Sequence, residues 1–281
     1  MGVEEVMADA FNRAKDYEKA LKAADENNKK KGAAQITVRR DLELDALVEI
    51  LNKKRFITMH SYVQSEILGA LRVADKYGYT INTFTHILEG YKVADQMKKH
   101  GANASTFSDW WAYKMEVQDA IPYNAFIMQK QGLNVAVNSD DAEMARRLNQ
   151  EAAKSIKYGG MTEEEALKMV TINPAKMLHI EEKVGSIATG KDADLVLWSD
   201  NPLSIYAKAE TTIVDGTIYF DRKKDAELQK KNTEERIRLT QKMVSEKKGG
   251  GPVGPATPTM SIILNCGDHE HSHGLLAIEG E

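Results

Sequence analysis

The 281-residue chain holds one cysteine, Cys266. A single thiol excludes an internal disulfide and any all-cysteine zinc site within one chain. Long apolar runs are absent: none approaches the roughly 20 residues that a membrane span needs. Neither sign of charge is in excess. Lys+Arg is 38 against Asp+Glu 42, a net −4, so there is no global electrostatic case for nucleic acid or an anionic membrane. No basic segment followed by an apolar one opens the chain, so no signal peptide is visible. The compartment stays open between cytoplasmic and, if a preceding segment carries a signal, periplasmic or secreted. There is no internal repeat beyond strand–helix alternation. No histidine precedes His60.

What is present is ordinary globular composition, 42% hydrophobic and 28% charged, which excludes global disorder and permits a sizeable core. Val3, Met7, Ala10, Phe11, Ala14, Tyr17 and Leu21 recur at helical spacing. Residues 26–40 read as a polar, basic loop, and Leu44, Leu47, Val48 and Leu51 mark a short helix. Four strand-like runs follow, over 55–60, 79–85, 102–107 and 133–137. A helical stretch follows each: Ile67 to Gly78, Tyr91 to His100, Pro122 to Gln131, and Glu143 to Tyr158. Strands alternating with helices predict a parallel α/β sheet, either doubly wound or a β/α barrel. Thr162 and Glu165 form a capping-box pattern, and Asn173-Pro174-Ala175 starts another helix. From Val184 the pattern becomes short apolar runs at 185–187, 194–198, 211–214 and 217–220. Asp215-Gly216 between the last two is a hairpin signal. Residues 222–248 are a charged, helix-compatible stretch. A Gly/Pro linker (249–255) and a tail with His269, His271 and His273 close the chain.

The chemistry-bearing residues fall at strand ends. His60 ends the first strand, His86 the second, and Asp140 lies just past the fourth. In a parallel β/α fold all strand carboxyl ends open on one face, where active sites form. Imidazole and carboxylate suit zinc and similar divalent ions. Each residue also has a bland reading: a strand-end histidine satisfied in packing, and an Asp that caps a helix. Joint placement on three strand ends favours the metal. Tyr62, Glu89 and Lys92 lie near these residues in sequence, and Trp110 and Trp111 follow a strand. All five are substrate-contact candidates, against packing or helix-surface roles. Asp192 and Asp194 are explained by turn chemistry. The histidine-rich tail and Cys266 offer at most a loose, unselective metal site.

His60-Ser61-Tyr62 followed by Glu66-Ile67-Leu68 resembles the fifth strand of the amidohydrolase superfamily. His86 to Lys92 resembles the sixth. Ser108 to Trp111 with Ile121-Pro122-Tyr123-Asn124 resembles the stretch after the seventh, and Asn138-Ser139-Asp140 the eighth. Thr171 to Lys176, Val184 to Ile187 and Gly190 to Val196 resemble the return from barrel to β-sandwich in imidazolonepropionase-like members. The resemblance spans about residues 41–221.

It implies the C-terminal half of a (β/α)8 TIM-type barrel, strands 5–8, plus a small antiparallel β-sandwich portion. The expected organisation is a partial barrel over 1–183, a sandwich portion over 184–221, and a charged helix, linker and tail over 222–281. It also implies one or two divalent metal ions, zinc by preference, held by His60, His86 and Asp140. The implied reaction is hydrolysis of a C–N bond, in a cyclic amide or amide-like small molecule, by metal-activated hydroxide. Asp140 would be the catalytic proton shuttle. The departure is large, because the family's His-x-His pair on the first strand has no counterpart here. The chain is therefore expected to be inactive alone, completed by a missing N-terminal half or a homo-oligomer partner. The alternative is a non-catalytic fragment acting as a binding or structural module.

Overall fold

A computed structural model describes residues 2–251 and Gly254. The chain divides into two compact units, Met1–Phe220 and Asp221–Glu281.

In the first unit, helix α1 (Gly2–Asn28) turns Ala8, Phe11, Ala14 and Tyr17 inward. Helix α2 (Leu42–Leu51) starts where the Asp41 carboxylate accepts from the backbone N–H groups of Glu43 and Leu44, satisfying two orphan donors. Strand β1 (Ile57–His60) leads to α3 (Gln64–Tyr77), which stops at Gly78 in the left-handed conformation, φ 78°. Strand β2 (Ile81–Thr85), a short 3-10 turn (Gly90–Lys92) and α4 (Ala94–His100) follow. Then come β3 (Asn103–Thr106), α5 (Asn124–Lys130) and β4 (Val135–Val137).

The stretch 143–158 is not one helix. It is split into α6 (Ala142–Ala145), capped by Asp141, and α7 (Leu148–Gly159). Arg147 leaves the helical region at φ −135°, and the restart buries Glu151. The capping box forms as its spacing predicts, opening α8 (Glu163–Lys168), and α9 (Ile172–Met177) follows.

The four strands form one parallel sheet in the order β1-β2-β3-β4. Its two faces differ in character. Ile57, Met59, Phe84, Ala104, Val135 and Val137 join a single apolar core with residues of the helices. Thr58 pairs with Thr83, His60 with Thr85, and Thr83 with Asn103, so the opposite face is polar. A doubly wound sheet buries apolar side chains on both faces. One apolar face and one polar face set this sheet apart from a doubly wound one. At the amino ends of the strands, asparagines link the sheet to α9. Asn103 donates to the Asn82 carbonyl (2.6 Å), Asn134 to Asn103 Oδ1 (3.1 Å), and Asn173 to the Val135 carbonyl (2.8 Å).

Strands β5 (Leu195–Trp198), β6 (Ala209–Val214) and β7 (Thr217–Asp221) make a second sheet in the order β5-β6-β7. Strands β5 and β6 pair antiparallel. Asp215 and Gly216 both take positive φ, 48° and 73°, the signature of the hairpin turn that Asp-Gly favours. The apolar run at 185–187 is not a strand. Gly185 turns into the left-handed region and Ile187 is exposed.

In the second unit, α10 (Arg222–Lys248) is capped by Asp221 and contains no buried residue. Its charged sequence supplies i,i+3 pairs such as Arg238 with Glu235 (2.6 Å). The tail histidines and Cys266 lie outside the described residues. No described helix is long and apolar enough to cross a membrane.

Candidate active site

The carboxyl ends of β1 and β2 are adjacent, and their last residues converge. His60 and His86 meet edge to face with ring centroids 4.4 Å apart. Beyond β4, Asp140 brings Oδ1 to 4.0 Å from His86 Nε2. His86 sits at φ 60°, a conformation that costs a non-glycine residue of order 1 kcal/mol. That turn keeps the ring over the end of the sheet, where Phe107 packs against it at 4.8 Å. Among the described residues, His86 Nδ1 and Asn138 Oδ1 are buried without a hydrogen-bond partner. Burial, helped by the charges of His60 and Lys114 against that of Asp140, pushes the His86 imidazole down from its ordinary value. The neutral form, with a lone pair to donate, is favoured.

A wall of aromatic rings continues from the histidines. Tyr62 lies edge-on to His60 at 4.7 Å, Phe107 stacks on Trp110 at 4.5 Å, and Tyr113 stands against Trp110 at 5.7 Å. Lys114 Nζ lies 4.1 Å above the centre of the Tyr62 ring. Trp110 and Ala112 both have positive φ, 65° and 53°, so the loop after β3 is held in a strained shape. Beneath it, Glu151 of α7 is buried and accepts from Ser108 Oγ and from Lys154 Nζ (2.6 Å). Lys154 also pairs with Asp109.

The other candidates are placed differently. Glu89 is buried and its carboxylate accepts from the Gln64 backbone N–H (2.9 Å) at the start of α3. Lys92 bridges Glu89 (3.3 Å) and Asp119 (2.5 Å). Together they tie the loop after β2 to α3 and to the loop after β3. Asn124 adds to that tie through the Ile87 carbonyl (2.7 Å), Thr106 Oγ1 (3.0 Å) and the Tyr91 N–H (2.9 Å). Trp111 turns away from its neighbour and meets Tyr158 of α7 at 5.8 Å. Of the eight candidates, the site end therefore gathers His60, Tyr62, His86, Trp110 and Asp140. Phe107, Tyr113 and Lys114 join them without having been singled out. The aromatic density of 107–114 was the available signal.

The donor types suit a divalent metal: an unpartnered buried ring nitrogen, a second imidazole and a carboxylate. The set is nevertheless partial. Among the described residues no group of three or more His, Cys, Asp and Glu is close enough to hold an ion.

The profile of the amidohydrolase family matches residues 123–228. An amidohydrolase, tasK, of Hapsidospora irregularis is 28% identical over 186 residues, 64% of this chain and 19% of its own. An imidazolonepropionase of Picrophilus torridus is 27% identical over 132 residues, 46% of this chain and 32% of its own. A solved amidohydrolase from Thermotoga maritima MSB8 superposes with a TM-score of 0.71 at 29% identity, covering 79% of this chain and 56% of that one. These matches together support the amidohydrolase superfamily. The chain spans about a fifth to a third of the length of these two curated relatives. The structural likeness implies a TIM-barrel-type α/β fold, and the chain shows a parallel sheet and a smaller antiparallel one.

Proposed function

We propose that this chain carries the later-strand half of a metal-dependent hydrolase of C–N bonds, with β1–β4 as the last four strands of a (β/α)8 barrel. Support for the half-barrel reading comes from the single apolar face of the sheet. The reading of activity rests on one observation: two strand-end imidazoles in ring contact, one with an orphaned buried nitrogen, beside the Asp140 carboxylate. His60, His86 and Asp140 would hold a divalent metal, zinc by preference, which when bound polarises a carbonyl and makes water more acidic. His86, kept neutral by burial, offers a lone pair rather than a charge. Asp140 Oδ1 accepts a proton from the attacking water and returns it to the leaving nitrogen. The aromatic wall of Tyr62, Phe107 and Trp110 excludes water from one side of the reacting group. The partial ligand set supports a requirement for further ligands, from a preceding segment or a second copy of the chain.

The test is metal content of the full chain with His269, His271 and His273 replaced by alanine, so that tail binding is removed. Near-stoichiometric zinc that disappears on adding His60→Ala and His86→Ala supports the assignment. Zinc retained in that double variant removes it, and no bound zinc removes metal binding by this chain alone. Hydrolysis of a cyclic-amide and N-acyl panel, abolished by Asp140→Ala, tests the reaction itself.

A further inference from the structure

We infer that the groove between α3 and α4 is a second binding site, for a zwitterionic α-amino acid with a large apolar side chain. It goes beyond the hydrolase reading and does not rest on it. A cavity of about 460 Å3 opens in this groove, a size that falls among small-molecule pockets of about 300–1,000 Å3. Helix α3 lines it with Leu68, Leu71, Arg72 and Asp75, and α4 with Gln96, Lys99 and His100. Spacings of three and four residues put each set on one face of its helix. None of the residues gathered around His60 and His86 lines this cavity. Its wall touches the other end of the strand instead, because His100 Nε2 accepts from the N–H of Ile81, the first residue of β2.

The lining carries both charges over an apolar floor. Leu71 is buried in the core and Leu68 packs against it. Asp75 is the fixed anion. A backbone N–H can only donate, so the Ile81 N–H at 3.0 Å makes Nε2 of His100 the acceptor and leaves the ring proton on Nδ1. Nδ1 then donates to Asp75 Oδ1 at 2.8 Å. The His100 side chain is 5% exposed, so a rigid ring anchors one carboxylate oxygen and leaves Oδ2 for another donor. The cation is Lys99. Arg72 is held by Glu4 at two points, 2.6 and 3.2 Å, and Lys98 by the Gly132 carbonyl. Among the described residues Lys99 has no carboxylate within ion-pair distance, Asp75 included. Opposite charges that line one cavity without meeting leave a gap that a ligand carrying both charges fills. Its ammonium on Asp75 Oδ2 and its carboxylate on Lys99 Nζ each gain a charge-assisted hydrogen bond. Its side chain loses apolar surface to the two leucines. A simple anion there is repelled by Asp75 and a simple cation by Lys99, which sets the preference.

The experiment is isothermal titration calorimetry on the full chain, which needs neither metal nor turnover. The probes are L-phenylalanine, N-acetyl-L-phenylalanine without the ammonium, L-phenylalaninamide without the carboxylate, and L-alanine without the ring. Phenylalanine should bind roughly tenfold more tightly than each of the other three, the worth of one charge-assisted hydrogen bond or of the buried ring. Asp75→Asn should erase the advantage over the N-acetyl compound and keep the advantage over the amide. Lys99→Met should do the reverse. Both side chains are exposed, and an amide oxygen at position 75 still accepts from His100, so both variants should fold; circular dichroism checks this. His60→Ala combined with His86→Ala should leave phenylalanine binding unchanged. The inference is overturned by no binding of phenylalanine, by equal affinity for all four probes, or by selectivity that neither lining variant moves. Binding lost in the double histidine variant would also overturn it, by placing the ligand at the strand carboxyl ends.

Discussion

His60 and His86, the last residue of one strand and the first beyond the next, touch edge to face at 4.4 Å although 26 positions separate them in the chain. The contact exists because β1 and β2 are parallel neighbours with His60 in register with Thr85. Parallel pairing sends both carboxyl ends to one side, and the positive φ of His86 bends its ring back toward that side.

That bend has a measurable cost. Glycine adopts φ near +60° without the Cβ clash that burdens other residues. His86→Gly is therefore expected to be more stable than His86→Ala by about 1 kcal/mol, although glycine normally loses to alanine. Urea midpoints of the two variants check this. Both variants should lose metal, so stability and metal content would move independently.

Glu151 supports a different part of the site. Its carboxylate, 2% exposed, meets Ser108, Lys154 and, at 3.4 Å, Arg147. Lys154 and Arg147 stay partly exposed, so removing the acid does not strand a buried cation. The loss is mainly that of charge-assisted hydrogen bonds, about 2–3 kcal/mol for Glu151→Ala. The same change should loosen the loop after β3, seen as a red shift of tryptophan emission before unfolding. An unchanged spectrum with an unchanged urea midpoint would remove Glu151 as the brace of that loop.

The four-strand alternation and the two histidines were legible because periodicity locates strand ends, and parallel topology gathers strand ends on one face. Asp140 was legible for the same reason. The loop after β3 was not, because its shape comes from contacts between separate segments. Tyr113 and Lys114 have no periodic neighbour that predicts which way they face. Glu89 and Lys92 show the converse. Proximity to His86 in sequence did not reveal that their side chains reach α3 and Asp119. The 185–187 run read as a strand from its apolar residues, whereas Gly185 takes a left-handed φ and approaches α9 closely, which no local pattern announces.

Tyr79 links the core to pH. It is buried against Phe11 at 4.6 Å, and burial, with Tyr77 nearby, raises its hydroxyl from 10.0 to about 12. A raised pKa means that the folded state favours the neutral phenol. The stabilisation is full below pH 10 and is lost as pH rises from 10 to about 12. Over that window wild type should lose on the order of 2–3 kcal/mol from this group. Tyr79→Phe lacks that loss, so the gap between the two proteins should change across pH 9 to 12 in favour of the variant. A constant gap would show that Tyr79 does not govern alkaline stability.

Gly185 and Gly190 offer a matched pair in the segment that leads from the parallel sheet to the second sheet. Both hold strongly positive φ, 85° and 90°, so alanine is strained at either. Their surroundings differ. A Cβ at Gly185 would come within 2.8 Å of Ala175 Cβ, 3.0 Å of Ile172 Cα and 3.1 Å of the Thr171 carbonyl oxygen, whereas one at Gly190 meets nothing within 4 Å. The first position carries a backbone clash as well as a dihedral penalty, and backbone cannot rotate aside as a side chain can. Gly190→Ala should therefore cost about 1–2 kcal/mol from conformation alone. Gly185→Ala should cost at least about 1 kcal/mol more, because the segment must move off α9. Thermal denaturation of the two variants side by side measures the difference. Equal losses would mean that the segment after α9 moves aside freely and that the close approach contributes nothing to holding the β-unit in place.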